Sequence, residues 1–113
     1  MTALKREEAR ELAAQAILST TWKCPVQIQD DLTREYDFGW VFFYNSTEYI
    51  QSRRREVALF GNAPLIVSRD GRVTLTGTAH HIDDYVAAYG ALGPDRFPQS
   101  AEAFIVDLKS RRA

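Results

Sequence analysis

Apolar residues recur along this chain first with the period of a helix and then with the period of a strand. Between Leu4 and Leu18, Ala9, Leu12, Ala13, Ala16 and Ile17 return at three- and four-residue spacing, while Lys5, Arg6, Glu7, Glu8, Arg10 and Glu11 fill the other positions of the first turns. The spacing predicts an amphipathic helix whose alanine-rich stripe lies close on a sheet, ended by Ser19, Thr20 and Thr21. After Pro25, Val26 and Ile28 alternate with Gln27 and Gln29, the pattern of a strand with one wet face. The run Gly39-Trp40-Val41-Phe42-Phe43-Tyr44-Asn45 is apolar throughout its centre. In extended conformation it turns Trp40, Phe42 and Tyr44 to one side and Val41 and Phe43 to the other. It predicts a central strand that needs cover on both faces.

The remaining segments are organised around that strand. Asp30 to Asp37 reads either as a hairpin connection or as an irregular strand containing Leu32 and Tyr36. From Ser46 to Asn62 the pattern is mixed: Tyr49 and Ile50 either close the strand or form a short helical turn, and Arg53, Arg54 and Arg55 precede Val57, Ala58, Leu59 and Phe60. Gly61, Asn62 and Pro64 terminate this connection. Leu65-Ile66-Val67 and Val73-Thr74-Leu75-Thr76 flank Asp70-Gly71, which predicts a hairpin with a two-residue type I′ turn. Ile82, Tyr85, Val86 and Tyr89 then predict a short helix, with Asp83 and Asp84 in its first turn and Gly90 as its stop. A Gly/Pro-containing linker through Pro98 leads to a last helix from Gln99 to about Arg111, with Phe104, Ile105 and Leu108 inward.

The expected architecture is α+β: an N-terminal helix packed on a small four-stranded, mainly antiparallel sheet, a short helix after the last hairpin, and an added C-terminal helix. The 113 residues are read as a single domain, with residues 1–90 as its core and 91–113 as an extension. If only one face of the sheet is covered, the other becomes a partner surface and a homodimer is expected. Composition narrows function mainly by exclusion. A net charge of −1 from 14 basic and 15 acidic residues recommends neither nucleic acid nor membrane as partner. The first residues show no secretory pattern, no run is long enough to span a bilayer, and the single Cys24 fits a reducing compartment, so a cytoplasmic location is expected.

Four stretches in order, Asp37-Phe38-Gly39-Trp40-Val41-Phe42-Phe43-Tyr44, Gly61-Asn62-Ala63-Pro64-Leu65-Ile66-Val67, the Asp70-Gly71 hairpin, and Thr76-Gly77-Thr78-Ala79 before a short helix, resemble the immunity protein 35 family, also called the YrhB-domain family. The resemblance covers roughly Leu4 to Tyr89, with Trp40, Phe42, Phe43 and Tyr44 as its core signature. It implies a small bacterial cytoplasmic protein that binds and neutralises a polymorphic toxin encoded beside it. Such proteins act by stoichiometric occlusion, so the resemblance implies no catalytic residues and no cofactor. One member is described as chaperone-like, which makes a holdase for unfolded clients the alternative.

The residues themselves add candidates for contact rather than for chemistry. Asp37-Phe38-Gly39 spells the magnesium-binding tripeptide of protein kinases, but the chain lacks the other parts of that machinery. Cys24, His80, His81, Asp83 and Asp84 match neither a nucleophile–base arrangement nor a familiar zinc spacing. Arg53, Arg54 and Arg55, with Arg69 and Arg72, read as solvated loop charges. The window from Asp30 to Asp37 sets Asp30, Asp31, Glu35 and Asp37 against Arg34, a local charge of −3, and would steer a basic partner. The expected partner-binding residues are therefore Asp30, Asp31, Glu35, Tyr36 and Asp37, with Tyr49, Arg53 and Arg54 after the central strand. Trp22 joins Tyr36 and Tyr49 as an aromatic anchor if exposed.

Overall fold

The computed structural model describes residues 4–19, 24–59 and 62–112. Trp22, Thr20, Thr21, Phe60 and Gly61 lie outside the described residues. The elements follow in the order α1 (Arg6–Leu18), β1 (Val26–Ile28), β2 (Arg34–Tyr36), β3 (Gly39–Phe42), β4 (Tyr44–Ser46), α2 (Thr47–Ser52), β5 (Leu65–Ser68), β6 (Val73–Leu75) and α3 (Ile82–Arg112), an α+β chain. Strands β2-β3-β5-β6 form an antiparallel sheet in that spatial order, and β1 pairs with β4 in an antiparallel ribbon. The stretch read as one central strand is thus two, separated at Phe43. Gln29 N–H donates to Phe43 O at 2.8 Å and extends the β1–β4 pairing as far as the break. Asp30 to Asp37 follows neither reading as stated: Asp30–Leu32 is a 3-10 turn, only Arg34–Tyr36 is strand, with Leu32 outside it, and β1 pairs with β4 rather than with the central strand.

Strand alternation divides the core as the aromatic run predicts. Trp40, Phe42 and Tyr44 pack with Leu65 and Val67 under Ala9, Ala13 and Ile17 of α1. Val41 and Ile66 pack on the opposite face against Tyr85, Ala88, Tyr89, Phe97, Ala101 and Ile105 of α3, with Phe43 half-buried at the margin. Both faces are covered, so the condition on which a homodimer was expected is not met. Gly39 sits where β3 crosses closest to β5: a Cβ built on it would stand 2.0 Å from Val67 O, at φ +146°. No other residue fits there without displacing the strand.

Two expectations are corrected. The β5–β6 turn is not a two-residue type I′ turn: Ser68 N–H donates to Arg72 O at 2.9 Å and Gly71 N–H to Ser68 O at 3.0 Å, which leaves Arg69, Asp70 and Gly71 as the loop. Only Gly71 takes positive φ (+90°), as in a type I turn followed by a glycine bulge. Gly90 does not stop α3. The helix continues past it, keeping Tyr89 buried and Leu92 against the same cluster, and breaks at Gly93 (φ 76°, ψ 170°). Pro94 opens the second limb, where its missing N–H and fixed φ suit a first helical position. The expected linker through Pro98 is therefore helix, and its Phe97 is 3% exposed beneath the sheet.

Candidate partner-binding surface

The candidate residues fall into three places. Asp30 and Asp31 are exposed on the 3-10 turn after β1. Arg10 of α1 donates from Nε to Asp30 Oδ1 at 2.6 Å and from Nη2 to Oδ2 at 3.1 Å. These hydrogen bonds hold the Asp30 carboxyl below its ordinary pKa and raise that of Arg10. Glu35, Tyr36 and Asp37 stand on the outer strand β2 and its hairpin. Arg69, reaching over from the β5–β6 loop, donates from Nη2 to Glu35 Oε2 (3.2 Å) and Tyr36 O (2.7 Å) and from Nε to Asp37 O (3.3 Å). Its guanidinium lies 4.3 Å from the centre of the Trp40 ring. Tyr36 is half-buried and stacks on Phe38 (5.0 Å, 11°), which in turn meets Tyr89 (4.8 Å). Arg34, two residues before Tyr36, donates to Asp83 Oδ1 at 2.8 Å and lies over Phe43.

The third place is the end of α2. Ser46 caps this helix by accepting from Tyr49 N–H (3.0 Å), and its hydroxyl also donates to Val57 O. Asn45 Oδ1 accepts from Leu59 N–H (2.7 Å), and Asn62 Nδ2 donates to Tyr44 O (2.7 Å). These three side chains staple the long connection to β4, so Asn45-Ser46 is a loop anchor. Arg53 closes α2 with φ 62° and its guanidinium stands 5.6 Å from the Tyr49 ring; Arg54 is exposed, with Glu48 at 3.6 Å and Glu56 at 3.7 Å.

The second and third places do not share an end of the β3–β4 stretch: the hairpin holding Asp37 enters β3 at Gly39, whereas α2 leaves β4 after Ser46. Nor is the acidic window uncompensated: Asp30 and Glu35 have arginine partners, while Asp31 and Asp37 form no ion pair among the described residues. The neutralising arginines come from α1 and the β5–β6 loop, which no local charge count includes. Of the chemical candidates, Cys24 lines a cleft with Ser46, Glu48 and Gln51. His80 Nε2 instead stands 2.8 Å from Glu102 Oε2, with its Nδ1 2.7 Å from Lys109 Nζ. Among the described residues no three His, Cys, Asp or Glu side chains gather as a metal site would need, and no helix is long and apolar enough to cross a membrane.

One surface was missed by sequence reading: Val73 and Leu75 on β6 are exposed. Their alternation with threonine is that of any half-covered strand, so nothing in the pattern marked them.

A curated relative, the uncharacterized protein YrhB of Escherichia coli (strain K12), is 33% identical over 52 residues, which are 45% of this chain and 55% of that protein. The match thus spans about half the length of the relative. No solved structure matches. The model of the family described as Immunity protein 35 matches residues 6–86, from the start of α1 through β6 into the first turns of α3. This chain belongs to the Immunity protein 35 family.

Proposed function

We propose that this protein is a non-enzymatic immunity protein that binds a cognate bacterial toxin or effector in the cytoplasm and occludes its active-site region. The observation that carries this reading is family membership across residues 6–86, the whole of the layer formed by α1 and the sheet. Exposed Asp31 and Asp37 supply uncompensated negative charge for a basic partner, and Asp30 and Glu35 can exchange their intramolecular arginines for those of a partner. Tyr36 offers a ring already fixed by stacking on Phe38, which lowers the ordering cost of an interface anchor. Tyr49, Arg53 and Arg54 form a separate, cationic contact at the far end of β4.

Co-expression with the product of the adjacent reading frame tests the reading. Growth restored by this protein, together with a stoichiometric complex on co-purification, is the expected result. A non-toxic neighbour, or toxicity that persists with this protein in excess, removes it. Suppression of aggregation of unrelated unfolded clients without a specific complex would instead identify a holdase.

A further inference from the structure

The hydrogen-bond pattern of β6 leaves one side of that strand open. Ser68 N–H donates to Arg72 O (2.9 Å), Thr76 N–H to Pro64 O (3.1 Å), and the register sets Ile66 opposite Thr74. Bonded and non-bonded positions alternate in an antiparallel pair. Arg72, Thr74 and Thr76 therefore turn their backbone groups toward β5, and Val73 and Leu75 turn theirs away from it. β6 is the outermost strand of the sheet, so among the described residues nothing pairs with that side. The same two residues show their side chains to solvent, Leu75 at 61% and Val73 at 37% exposure.

On the α3 flank this edge is hollow, and on the other flank it adjoins the first turns of α1. On the α1 side, Leu4, Leu12, Glu7, Glu8 and Glu11 line a depression of about 420 Å³, and the two leucines reach the space beside Gly71 at the start of β6. No ion pair engages the three glutamates among the described residues. On the α3 side, a second depression of about 460 Å³ runs along β6 against Phe97, Pro98 and Ala101.

We propose that the open edge of β6 takes up an extended, lysine- or arginine-rich segment of the partner as an added strand. The inference rests on the immunity reading only in naming the toxin as the owner of that segment. Backbone groups of Val73 and Leu75 supply the ladder bonds, as in other cases of strand addition. Long cationic side chains lay their aliphatic stems over Val73 and Leu75 and carry their charges to Glu7, Glu8 and Glu11. Alternate residues of the added strand face the hollow before Phe97 and Pro98, which suits small apolar side chains. Charge decides against a second copy as the occupant. Edge-to-edge pairing of two β6 strands would bring two sets of these glutamates toward one another, and the nearby Arg72 is already held by Asp70 and Asp95.

A synthetic peptide alternating lysine and valine is the probe, titrated into the isotope-labelled full chain with amide exchange followed by NMR. Saturation is expected to slow exchange at Val73 and Leu75. Leu75→Pro is expected to abolish binding and keep the unfolding transition, since the N–H it removes points away from β5. If that variant does not fold, Val73→Lys with Leu75→Lys alters only exposed side chains and is expected to repel the peptide. Glu7→Lys with Glu11→Lys is expected to weaken binding about tenfold or more at low salt. A peptide with glutamate in place of lysine is expected not to bind. Three results overturn the proposal: unchanged exchange at Val73 and Leu75 under saturating peptide, wild-type affinity in the folded edge variants, or concentration-dependent protection of those amides without peptide, which makes a second copy the occupant. None of these measurements needs the toxin, so their failure is separable from failure of the co-expression rescue.

Discussion

On the strand β2 each charged side chain has a partner from another element, whereas at the β6 edge two apolar side chains face solvent beside backbone groups that are unpaired among the described residues. Arg34 is tied to Asp83 and Glu35 to Arg69, and Arg69 also holds the carbonyls of Tyr36 and Asp37. Charges and an overlying side chain are standard ways to protect an outer strand from adding another. β6 has neither. The difference follows from widths: one helix is about 10 Å across, and strands lie about 4.8 Å apart, so α1 covers the two inner strands and not all four. On the β2 side Arg69 fills the uncovered margin. On the β6 side the margin is left to Val73 and Leu75, so β2 is the guarded edge of the sheet and β6 the open one.

The largest expected effect concerns what lies beneath both edges. A chain ending at Gly90 would lose Phe97, Ala101 and Ile105, which are 3%, 9% and 0% exposed against Val41 and Ile66. Loss of one such phenylalanine or isoleucine alone costs about 2–5 kcal/mol, against a total of about 5–15 kcal/mol for a small domain. No cooperative thermal transition is expected for that truncation. A normal transition would show that residues 91–113 are a dispensable extension and that the back wall of the β6 hollow is not integral to the fold.

Next in size is Trp40→Ala. Trp40 is 1% exposed, lies opposite Glu35 of β2 and Val67 of β5, and carries Arg69 above its ring. The expected loss is about 3–5 kcal/mol by chemical denaturation. Trp40→Phe should cost clearly less, because it keeps an aromatic ring and removes an indole N–H that finds no acceptor among the described residues. Equal losses for the two variants would mean that the N–H, and not the ring, is what the site requires.

How much of this was readable beforehand depended on whether the cause was local. The alternation of Trp40, Phe42 and Tyr44 with Val41 and Phe43 assigned both core faces correctly, because strand side chains alternate whatever surrounds them. The stop at Gly90 failed because glycine only permits a helix end; burial of Tyr89 and contact by Leu92 favoured three more residues of helix, and Gly93-Pro94 supplied the break. The acidic window was legible as composition but not as charge, since Arg10 and Arg69 neutralise parts of it from positions 20 and 34 residues away. Exposure of Val73 and Leu75 was illegible for the same reason. It depends on how far α1 reaches across the sheet, and no residue near them records that.

Arg69→Ala separates the two edges. It removes the ring contact with Trp40 and the bonds to Glu35, Tyr36 and Asp37, together worth about 1–2 kcal/mol for a partly exposed site. Amide exchange is expected to accelerate along β2 and its hairpin while the β5–β6 pairing keeps its protection. Uniform acceleration across all four strands would show that Arg69 stabilises the sheet as a whole and that β2 has no guard of its own.

The smallest effect is expected at the Arg10–Asp30 pair, which ties α1 to the turn leading into β2. Both side chains are substantially exposed, 43% and 61%, so Asp30→Asn should cost within about 1 kcal/mol. The pH dependence carries more information than the size. Arg10 lowers the Asp30 pKa in the folded chain relative to the unfolded one, so the contribution is fully present above the ordinary carboxylate pKa. It is lost as the pH falls through the lowered folded value, where the carboxylate that Arg10 binds becomes protonated. The wild-type and Asp30→Asn stability curves should therefore differ at neutral pH, converge in acid, and draw together at neutral pH as salt is added. A gap that persists in acid would assign the difference to packing of the turn rather than to the ion pair, and Asp30 would then be as available to a partner as Asp31.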